Sequence, residues 1–363
     1  MSADDVRRLF DAAKPYRPGD SARLIDPARE RRETLVSGSA FLSSIPPPQY
    51  VLRPVFQRQH VVAVTGITGH GKTTLTNYFV VCALKGDKTG PVRARPCRVL
   101  MLIGENPPNA ALQLLGAVKR AGLPESALKD RLIVRPISEP LVAVIDDLKQ
   151  AELGEIDLVI VDTSAAFFSY ADDNDNVQMR QHAMDLRRLT ELPGRPAVAV
   201  NCHPVKNASR DNMVPRGGSS FLNELDANLT VWNDGEFITL HHTKMRGPSF
   251  DPMMFRLEPQ DVGITDDEGV PIKPPVAVPL SDAEHAGLSK RRHEDENKLL
   301  YAMLRDRSAS IASMARDCGW NPETSKSKVQ RLLKSLEDDK LVRKYRGRYG
   351  LTESGKREAE RVN

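Results

Sequence analysis

The sequence predicts an α/β fold with a mainly parallel central sheet, followed by a small, mostly helical domain. Between residues 45 and 260, short β-branched runs alternate with segments of helical periodicity, which is typical of a parallel sheet covered by helices. After residue 291, three helical patterns precede a short basic segment with a central glycine. These two observations decide the predicted fold class.

Four apolar runs are expected to be buried strands, because nearly every residue in them is hydrophobic. They span residues 60–66, 98–104, 157–162 and 197–202. The helical patterns between them cover residues 73–85, 108–121, 141–153 and 177–192. Later runs predict a hairpin over 227–232 and 237–242, with a turn at Asn233-Asp234-Gly235, and an edge strand at 254–257.

The chain is predicted to divide into four segments. Residues 1–44 are polar and are expected to form an arm with one short helix at 4–13. Residues 45–260 form the α/β domain. Residues 261–290 contain the run PIKPPVAVPL, which predicts a stiff linker of polyproline character. Residues 291–363 form the small C-terminal domain.

The composition excludes several classes of protein. The 363 residues are 40% hydrophobic and 28% charged, which excludes a disordered or collagen-like chain. No apolar run reaches the roughly 18 residues of a membrane span, and the first residues do not resemble a secretory signal. The cysteines lie far apart without a Cys-x-x-Cys pair, so we expect neither a zinc site nor disulfides. A cytoplasmic protein without membrane contact is the expectation.

The charge is unevenly distributed along the chain. The net charge is +4, but residues 290–363 hold 19 Lys and Arg against 12 Asp and Glu, so this segment carries +7 and the remainder −3. A basic segment on a slightly acidic body favours contact with a polyanion. A merely solubilising tail is the alternative.

The strongest functional signal is the loop GITGHGKT at residues 66–73, which fits the pattern GxxxxGK[ST]. It follows a predicted strand and opens a predicted helix, as a phosphate-binding loop (P-loop) requires. Glycines let backbone N–H groups turn toward phosphates, and the helix N-terminus adds its positive dipole end. Lys72 is expected to reach the β- and γ-phosphates, and the Thr73 hydroxyl to bind Mg²⁺. The predicted nucleotide-binding residues are Gly66, Gly69, His70, Gly71, Lys72, Thr73, Thr74 and Asp162.

Three further polar residues stand at the ends of predicted strands. Asp162 ends DLVIVD and is expected to hold Mg²⁺ together with Thr73, because such carboxylates point into the ligand crevice. Glu105 follows RVLMLIG and can activate the attacking water. His203 follows AVAVNC and can contact the γ-phosphate. The alternatives are a turn-forming Asp, a helix-capping Glu and a structural His.

In this order, the P-loop, Glu105, Asp162 and His203 resemble the RecA-like P-loop NTPases. The phrases IPPPQYVLRPVFQRQHVVAVTG and VLMLIGENPPNAALQLL are similar to the RepA-like branch, which contains ring-shaped hexameric replicative helicases. The resemblance covers about residues 45–258. It implies an ATPase that uses ATP and Mg²⁺ and assembles as a homo-hexamer around single-stranded DNA.

The same resemblance implies a cation donated by the neighbouring subunit. Lys244-Met245-Arg246 follows FITLHHT, so Arg246 would be an arginine finger with Lys244 as its partner. A guanidinium supplied in this way neutralises charge that develops on the phosphates. A surface turn is the alternative reading, and Arg216 is the competing finger.

The loop after His203 is the predicted contact with single-stranded DNA. Residues 204–219, PVKNASRDNMVPRGGS, are polar and basic, and the corresponding loop of RecA-like rings lines the channel. Lys206, Arg210 and Arg216 would follow the phosphate backbone without reading sequence. A solvated surface loop is the alternative. The second candidate channel loop, residues 167–176, is acidic and therefore a poor DNA contact.

Residues 293–360 resemble a winged helix-turn-helix domain. One helix is expected at 294–304, and a second is expected to start after Ser308 or Ser310 and to end at Gly319. A third is expected to start at Asn321-Pro322-Glu323, with Asn321 as N-cap, and to end near 336, before two short strands around Gly347. The resemblance implies duplex DNA as partner, with the third helix in the major groove. Docking to a protein is the alternative. The predicted DNA contacts are Lys326, Lys328, Arg331, Arg343, Lys344, Arg346 and Arg348.

Taken together, the sequence predicts a Mg·ATP-hydrolysing motor that acts on DNA, most specifically a RepA-like helicase. The predicted catalytic residues are Lys72, Glu105, His203, Lys244 and Arg246. A non-motor, ATP-gated DNA-binding regulator or loader is the main alternative. A scaffold whose tail binds a partner protein is a second one.

Overall fold

The computed structural model describes residues 36–44, 47–86, 88–209, 212–306, 309–345 and 347–361. The predicted helix at 4–13 and the candidate DNA contacts Arg210 and Arg346 lie outside these residues. The chain separates into two compact units, Met1–Pro48 and Gln49–Asn363. In the first unit, helix α1 (Gly38–Ser43) is capped by the Ser37 side chain, and all of its residues are exposed.

The second unit contains the remaining elements. The strands in chain order are β1 (Tyr50–Arg53), β2 (Phe56–Gln57), β3 (Val61–Gly66), β4 (Lys88–Thr89), β5 (Val92–Ala94), β6 (Val99–Ile103), β7 (Leu132–Arg135), β8 (Leu158–Asp162), β9 (Ala197–Cys202), β10 (Ala227–Asn233), β11 (Ile238–Met245), β12 (Met253–Pro259), β13 (Pro275–Pro279), β14 (Val342–Tyr345) and β15 (Arg348–Leu351). The helices are α2 (Lys72–Lys85), α3 (Pro107–Ala121), α4 (Glu125–Arg131), α5 (Leu141–Gln150), α6 (Asn176–Arg188), α7 (Gly218–Glu224), α8 (Asp282–Arg305), α9 (Ile311–Asp317), α10 (Lys326–Asp338) and α11 (Glu353–Arg361).

Over the described residues, the central sheet has nine strands in the order β13-β12-β11-β10-β3-β9-β8-β6-β7. The strands from β10 to β7 are parallel to their neighbours, and β11, β12 and β13 add antiparallel pairs at one side. This confirms the predicted α/β fold with a mainly parallel sheet. The four strands predicted from apolar runs are β3, β6, β8 and β9, and every residue in them is buried.

Helices cover both faces of this sheet. One face packs against α2 and α3, with Phe79 and Phe255 in its core. The other face packs against α5, α6 and α7, with Ile145 and Phe221 in its core. Helix α2 is buried nearly all round, so the P-loop that precedes it is attached to the best-packed helix of the domain.

The predicted linker is wrong in part, because residues 275–279 form the edge strand β13 of the sheet. Pro275 and Pro279 lie at its two ends, and an edge strand tolerates proline since one row of its N–H groups needs no partner. Helix α8 then starts at Asp282, well before the expected 294, after a capping box between Ser281 and Glu284. The predicted edge strand at 254–257 is therefore an inner strand, β12.

Helices α8 to α11 and the hairpin β14–β15 surround a separate core. Its fully buried members include Leu299, Ala315 and Leu333. The predicted start of the third helix at Asn321 is wrong: α10 begins at Lys326. Asn321 instead caps a turn, because its Oδ1 accepts the Glu323 N–H at 2.9 Å. None of the helices in the described residues is long and apolar enough to span a membrane.

Candidate nucleotide-binding site

The P-loop lies between the end of β3 and the start of α2, at the C-terminal edge of the parallel strands. Gly69 and Gly71 have φ of +81° and +87°, a region that favours glycine. A Cβ on Gly71 would lie 2.4 Å from Ile238 Cδ1, so the loop is packed directly against β11. The sequence GITGHGKT therefore folds as the predicted backbone cradle.

Lys72 points into this cradle. Its Nζ donates hydrogen bonds to the carbonyl oxygens of Gly66, at 2.7 Å, and Ile67, at 3.2 Å. The residue is 7% exposed, and burial lowers the pKa of Lys72 although Asp162 and Glu105 oppose the shift. A buried ammonium inside a loop of backbone N–H groups is suited to bind a polyphosphate.

Thr73 and Asp162 form an oxygen pair beside the cradle. Thr73 Oγ1 donates to Asp162 Oδ2 at 3.1 Å. Asp162 is 5% exposed, and its burial raises its pKa while hydrogen bonds from Asn201 and Thr73 oppose the shift. Hydroxyl and carboxylate oxygens are the ligands that Mg²⁺ prefers next to substrate phosphates, so the donor set fits the predicted metal.

The strand-end residues Glu105 and His203 meet across the same edge. His203 Nε2 lies 3.9 Å from Glu105 Oε2, and His203 Nδ1 lies 3.5 Å from Thr68 Oγ1 in the P-loop. Burial and the nearby charge of Lys72 lower the pKa of His203. The Glu105 side chain is 59% exposed, which gives it access to water. The sheet thus brings all three predicted strand-end residues to the P-loop.

Two further residues predicted to bind nucleotide, His70 and Thr74, pack against the protein. His70 Nδ1 accepts the Asn233 N–H at 3.2 Å, and its ring contacts Trp232 edge-on at a centroid distance of 5.2 Å. Burial and Lys72 lower the pKa of His70. Thr74 is a buried residue of α2, with 5% of its surface exposed. His70 therefore fastens the P-loop to the end of β10.

A family model described as AAA domain matches residues 26–209, just over half of the chain. The chain belongs to this AAA domain family. No curated protein matches the chain. The AAA domain match includes the P-loop, Glu105, Asp162 and His203, and it supports a nucleotide-binding P-loop ATPase of the RecA-like group. It ends before Arg216, so the candidate fingers and the C-terminal domain lie beyond it.

The predicted DNA loop, residues 204–219, begins directly at His203. A β-bridge joins Pro204 to Pro215, and the Arg216 N–H donates to the His203 carbonyl oxygen at 2.8 Å. The Arg216 side chain forms an ion pair with Asp173 of the acidic loop at 2.8 Å. Lys206 is exposed. The basic loop and the acidic loop, residues 167–176, are therefore neighbours, and part of the basic charge is neutralised.

Lys244 and Arg246 lie at the other end of the sheet from the P-loop, where the parallel strand β3 begins. Arg246 pairs with the buried carboxylate of Asp226 at 3.2 Å, and Asp226 also accepts the N–H of Val61 at the first residue of β3. Lys244 Nζ donates to the Leu222 carbonyl oxygen at 2.6 Å. Five residues of extended strand separate this end from Gly66, roughly 16 Å at 3.3 Å per residue. Within one chain, the structure does not bring Arg246 to the P-loop.

The predicted basic face of the C-terminal domain is divided. Lys328 pairs with Asp295 at 2.7 Å and its ammonium lies over the Trp320 ring at 4.1 Å. Arg331 pairs with Asp234 in the β10–β11 turn at 3.7 Å. The side chains of the remaining described candidates are exposed on α10 and the hairpin; they are Lys326, Arg343, Lys344 and Arg348.

The sequence did not predict two residues that shape the site, nor the partner of the candidate finger. Asn201 contacts Asp162, and Trp232 contacts His70. Asp226 pairs with Arg246 away from the P-loop. Asn201 gave one available signal, since it interrupts the apolar run AVAVNC. A polar side chain in a strand buried on both faces needs a hydrogen-bonding partner, which at this strand end is a residue of the site.

Proposed function

We propose that this AAA domain protein is a Mg·ATP-driven motor that acts on DNA as a homo-hexameric ring, as in RepA-like helicases. The observation that carries the proposal is the direct link between the P-loop and the basic loop, residues 204–219. His203 lies beside Thr68 of the P-loop, and its carbonyl oxygen accepts the Arg216 N–H across the base of loop 204–219. A shift of His203 on loss of the γ-phosphate would move this loop.

The residues at the edge have complementary roles in this proposal. Lys72 neutralises phosphate charge, and Glu105 orients the attacking water and accepts its proton. Thr73 and Asp162 would hold Mg²⁺, which would offset the negative charge of the nucleotide phosphates. His203 reports the γ-phosphate, because its ring reaches both Thr68 and Glu105.

A ring also gives Arg246 a place to act. Its guanidinium lies roughly a strand length from the P-loop of its own chain, so a role in hydrolysis requires a neighbouring subunit. Lys244 lies beside it and would assist. Arg216 is the alternative finger, because its backbone is bonded to His203 at the nucleotide edge.

Loop 204–219 has the anchoring that force transfer to DNA requires. Met213 is fully buried, and its carbonyl oxygen accepts the Asn228 Nδ2–H at 2.9 Å. Asn228 in turn accepts the Thr65 hydroxyl of β3 at 2.6 Å. The loop is thus tied to the strand that leads into the P-loop, while Lys206 stays exposed for a phosphate.

One observation favours the alternative of an ATP-gated, DNA-binding regulator. Arg331 of α10, a predicted DNA contact, pairs with Asp234. The preceding residue, Asn233, donates its N–H to His70 in the P-loop. In a winged helix-turn-helix domain that binds duplex DNA, this contact would couple nucleotide binding to release of the recognition helix.

The decisive experiment measures ATP hydrolysis with and without single-stranded DNA, together with the separation of a forked duplex. The motor proposal predicts DNA-stimulated hydrolysis, strand separation and a hexameric mass with Mg·ATP. Lys72→Ala should abolish hydrolysis, and Lys85→Ala, at an exposed position at the other end of α2, should not. Slow, unstimulated hydrolysis with sequence-specific duplex binding would support the regulator instead.

A further inference from the structure

Asn201 is a polar residue inside the most apolar part of the sheet. It is 1% exposed and lies near the end of β9, between β3 and β8. A buried amide has two donor hydrogens and a carbonyl oxygen to satisfy, and leaving them unpaired costs stability. Its partners therefore explain why it is there.

Both ends of the Asn201 amide are bonded to the nucleotide site. Nδ2 donates to Asp162 Oδ1 at 2.9 Å, and Oδ1 accepts the Thr76 hydroxyl at 2.9 Å. An ionised carboxylate only accepts hydrogen bonds, so the NH₂ end must face Asp162 and the oxygen must face Thr76. Thr76 lies on α2, one turn after the P-loop, and its hydroxyl also lies 2.9 Å from the Lys72 carbonyl oxygen. Its single hydrogen is divided between these two acceptors, so Asp162 sets the orientation of the amide and Thr76 supports it from the P-loop helix.

These bonds give the two oxygens of Asp162 different surroundings. Oδ1 is held by Asn201, whereas Oδ2 lies 3.1 Å from Thr73 Oγ1. Rotation of the carboxylate would break the Asn201 bond and turn Oδ2 away from Thr73. The hydrogen bond from a fixed amide therefore sets which oxygen stands next to the Thr73 hydroxyl.

We propose that Asn201 is a positioning residue for Mg²⁺, which holds Asp162 so that Oδ2 and the Thr73 hydroxyl face the metal together. Thr76 extends this arrangement by supporting the Asn201 amide. The inference rests on the proposed Mg·ATP site and is independent of any action on DNA. Residues that hold a metal ligand in place through a hydrogen bond typically contribute about ten- to a hundredfold to metal affinity. We expect a contribution of about the same size from Asn201.

The test is the affinity for a fluorescent, non-hydrolysable ATP analogue, measured with Mg²⁺ and with EDTA. Asn201→Leu has a side chain of similar size but no donor to Asp162. We expect the tightening of binding by Mg²⁺ to fall about ten- to a hundredfold, while the affinity in EDTA changes about threefold or less. Thr76→Val should produce a smaller loss in the same direction, because the amide then lacks its supporting donor.

Thr230→Val is the matched control, because Thr230 is an equally buried threonine in the same sheet whose hydroxyl lies 2.8 Å from His241 Nε2. It should leave the effect of Mg²⁺ unchanged. Asn201→Leu and Thr76→Val variants that keep the wild-type effect of Mg²⁺ would overturn the inference. If Asn201→Leu shows no cooperative thermal unfolding, Thr76→Val alone decides. A wild-type protein whose binding ignores Mg²⁺ would overturn the proposed Mg·ATP site itself.

Discussion

Replacing His182 by Phe should reduce the loss of folding stability that the protein shows at acid pH. The His182 side chain is fully buried on α6, where Nε2 lies 3.0 Å from Ser164 Oγ and the ring contacts Phe168 and Phe221. Burial lowers the pKa of His182 from 6.5 to about 4, although the charge of Asp185 opposes the shift. The native protein therefore keeps this ring neutral over a pH range in which the unfolded chain takes up a proton.

The sign and size of the effect follow from these two values. Above pH 6.5 neither state binds the proton, so the full stability is present; it is lost as the pH falls from 6.5 toward 4. At pH 5.0, preferential protonation of the unfolded state costs about 2 kcal/mol relative to pH 7.5. Urea unfolding of the core at both pH values measures this, with Trp232 as the fluorescent probe in a Trp320→Phe background.

We expect the stability lost by His182→Phe between pH 7.5 and 5.0 to be about 2 kcal/mol smaller than the loss in the parent protein. Phe keeps the ring contacts, so the absolute change at pH 7.5 reports mainly the lost bond to Ser164. His293→Phe, at an exposed position on α8, should keep the parental loss. An equal loss in His182→Phe and the parent would refute the burial argument.

Three further predictions concern the loop, the finger and the hairpin. Gly71→Ala should abolish nucleotide binding and destabilise the protein, because its Cβ would lie 2.4 Å from a β11 side chain. Gly122→Ala, also at positive φ but with no atom within 4 Å, should lower the free energy of unfolding by only about 1 kcal/mol. Equal unfolding midpoints of the two variants in urea would contradict this. Arg246→Ala should lower turnover by about 10³-fold with little change in nucleotide affinity. Arg187→Ala, which removes the other ion pair of Asp226, should not lower turnover. Equal losses of turnover in the two variants would exclude Arg246 as an arginine finger. Arg343→Ala should reduce the slope of log affinity for duplex DNA against log salt by about 0.9, and an unchanged slope would remove this residue from the interface.

Local patterns were sufficient to predict the central strands and the P-loop. Helices cover both faces of the central strands, so nearly all side chains in these strands are apolar. Short β-branched runs in the sequence therefore predict strands β3, β6, β8 and β9. The carboxyl ends of parallel strands share one edge, so the convergence of Glu105, Asp162 and His203 followed from their positions after strands.

Other features depend on contacts between distant segments. Strand β13 was missed because its prolines indicate a linker, and only pairing with β12 makes it part of the sheet. Asn321 was predicted to cap a helix, but its side chain closes a turn with the same preference for Asx residues. The ion pair between Arg246 and Asp226 joins the two open ends of the β10–β11 hairpin, 20 residues apart in the chain, and no periodicity identifies it.

The most direct test is a structure determined with Mg²⁺ and a non-hydrolysable ATP analogue. The account predicts the triphosphate on the backbone of residues 66–73 with Lys72 at the β- and γ-phosphates. It also predicts Mg²⁺ at about 2.0–2.1 Å from Thr73 Oγ1, with Asp162 on the same side. Analogue bound at another place in the protein, or Mg²⁺ held without Thr73 and Asp162, would contradict the account.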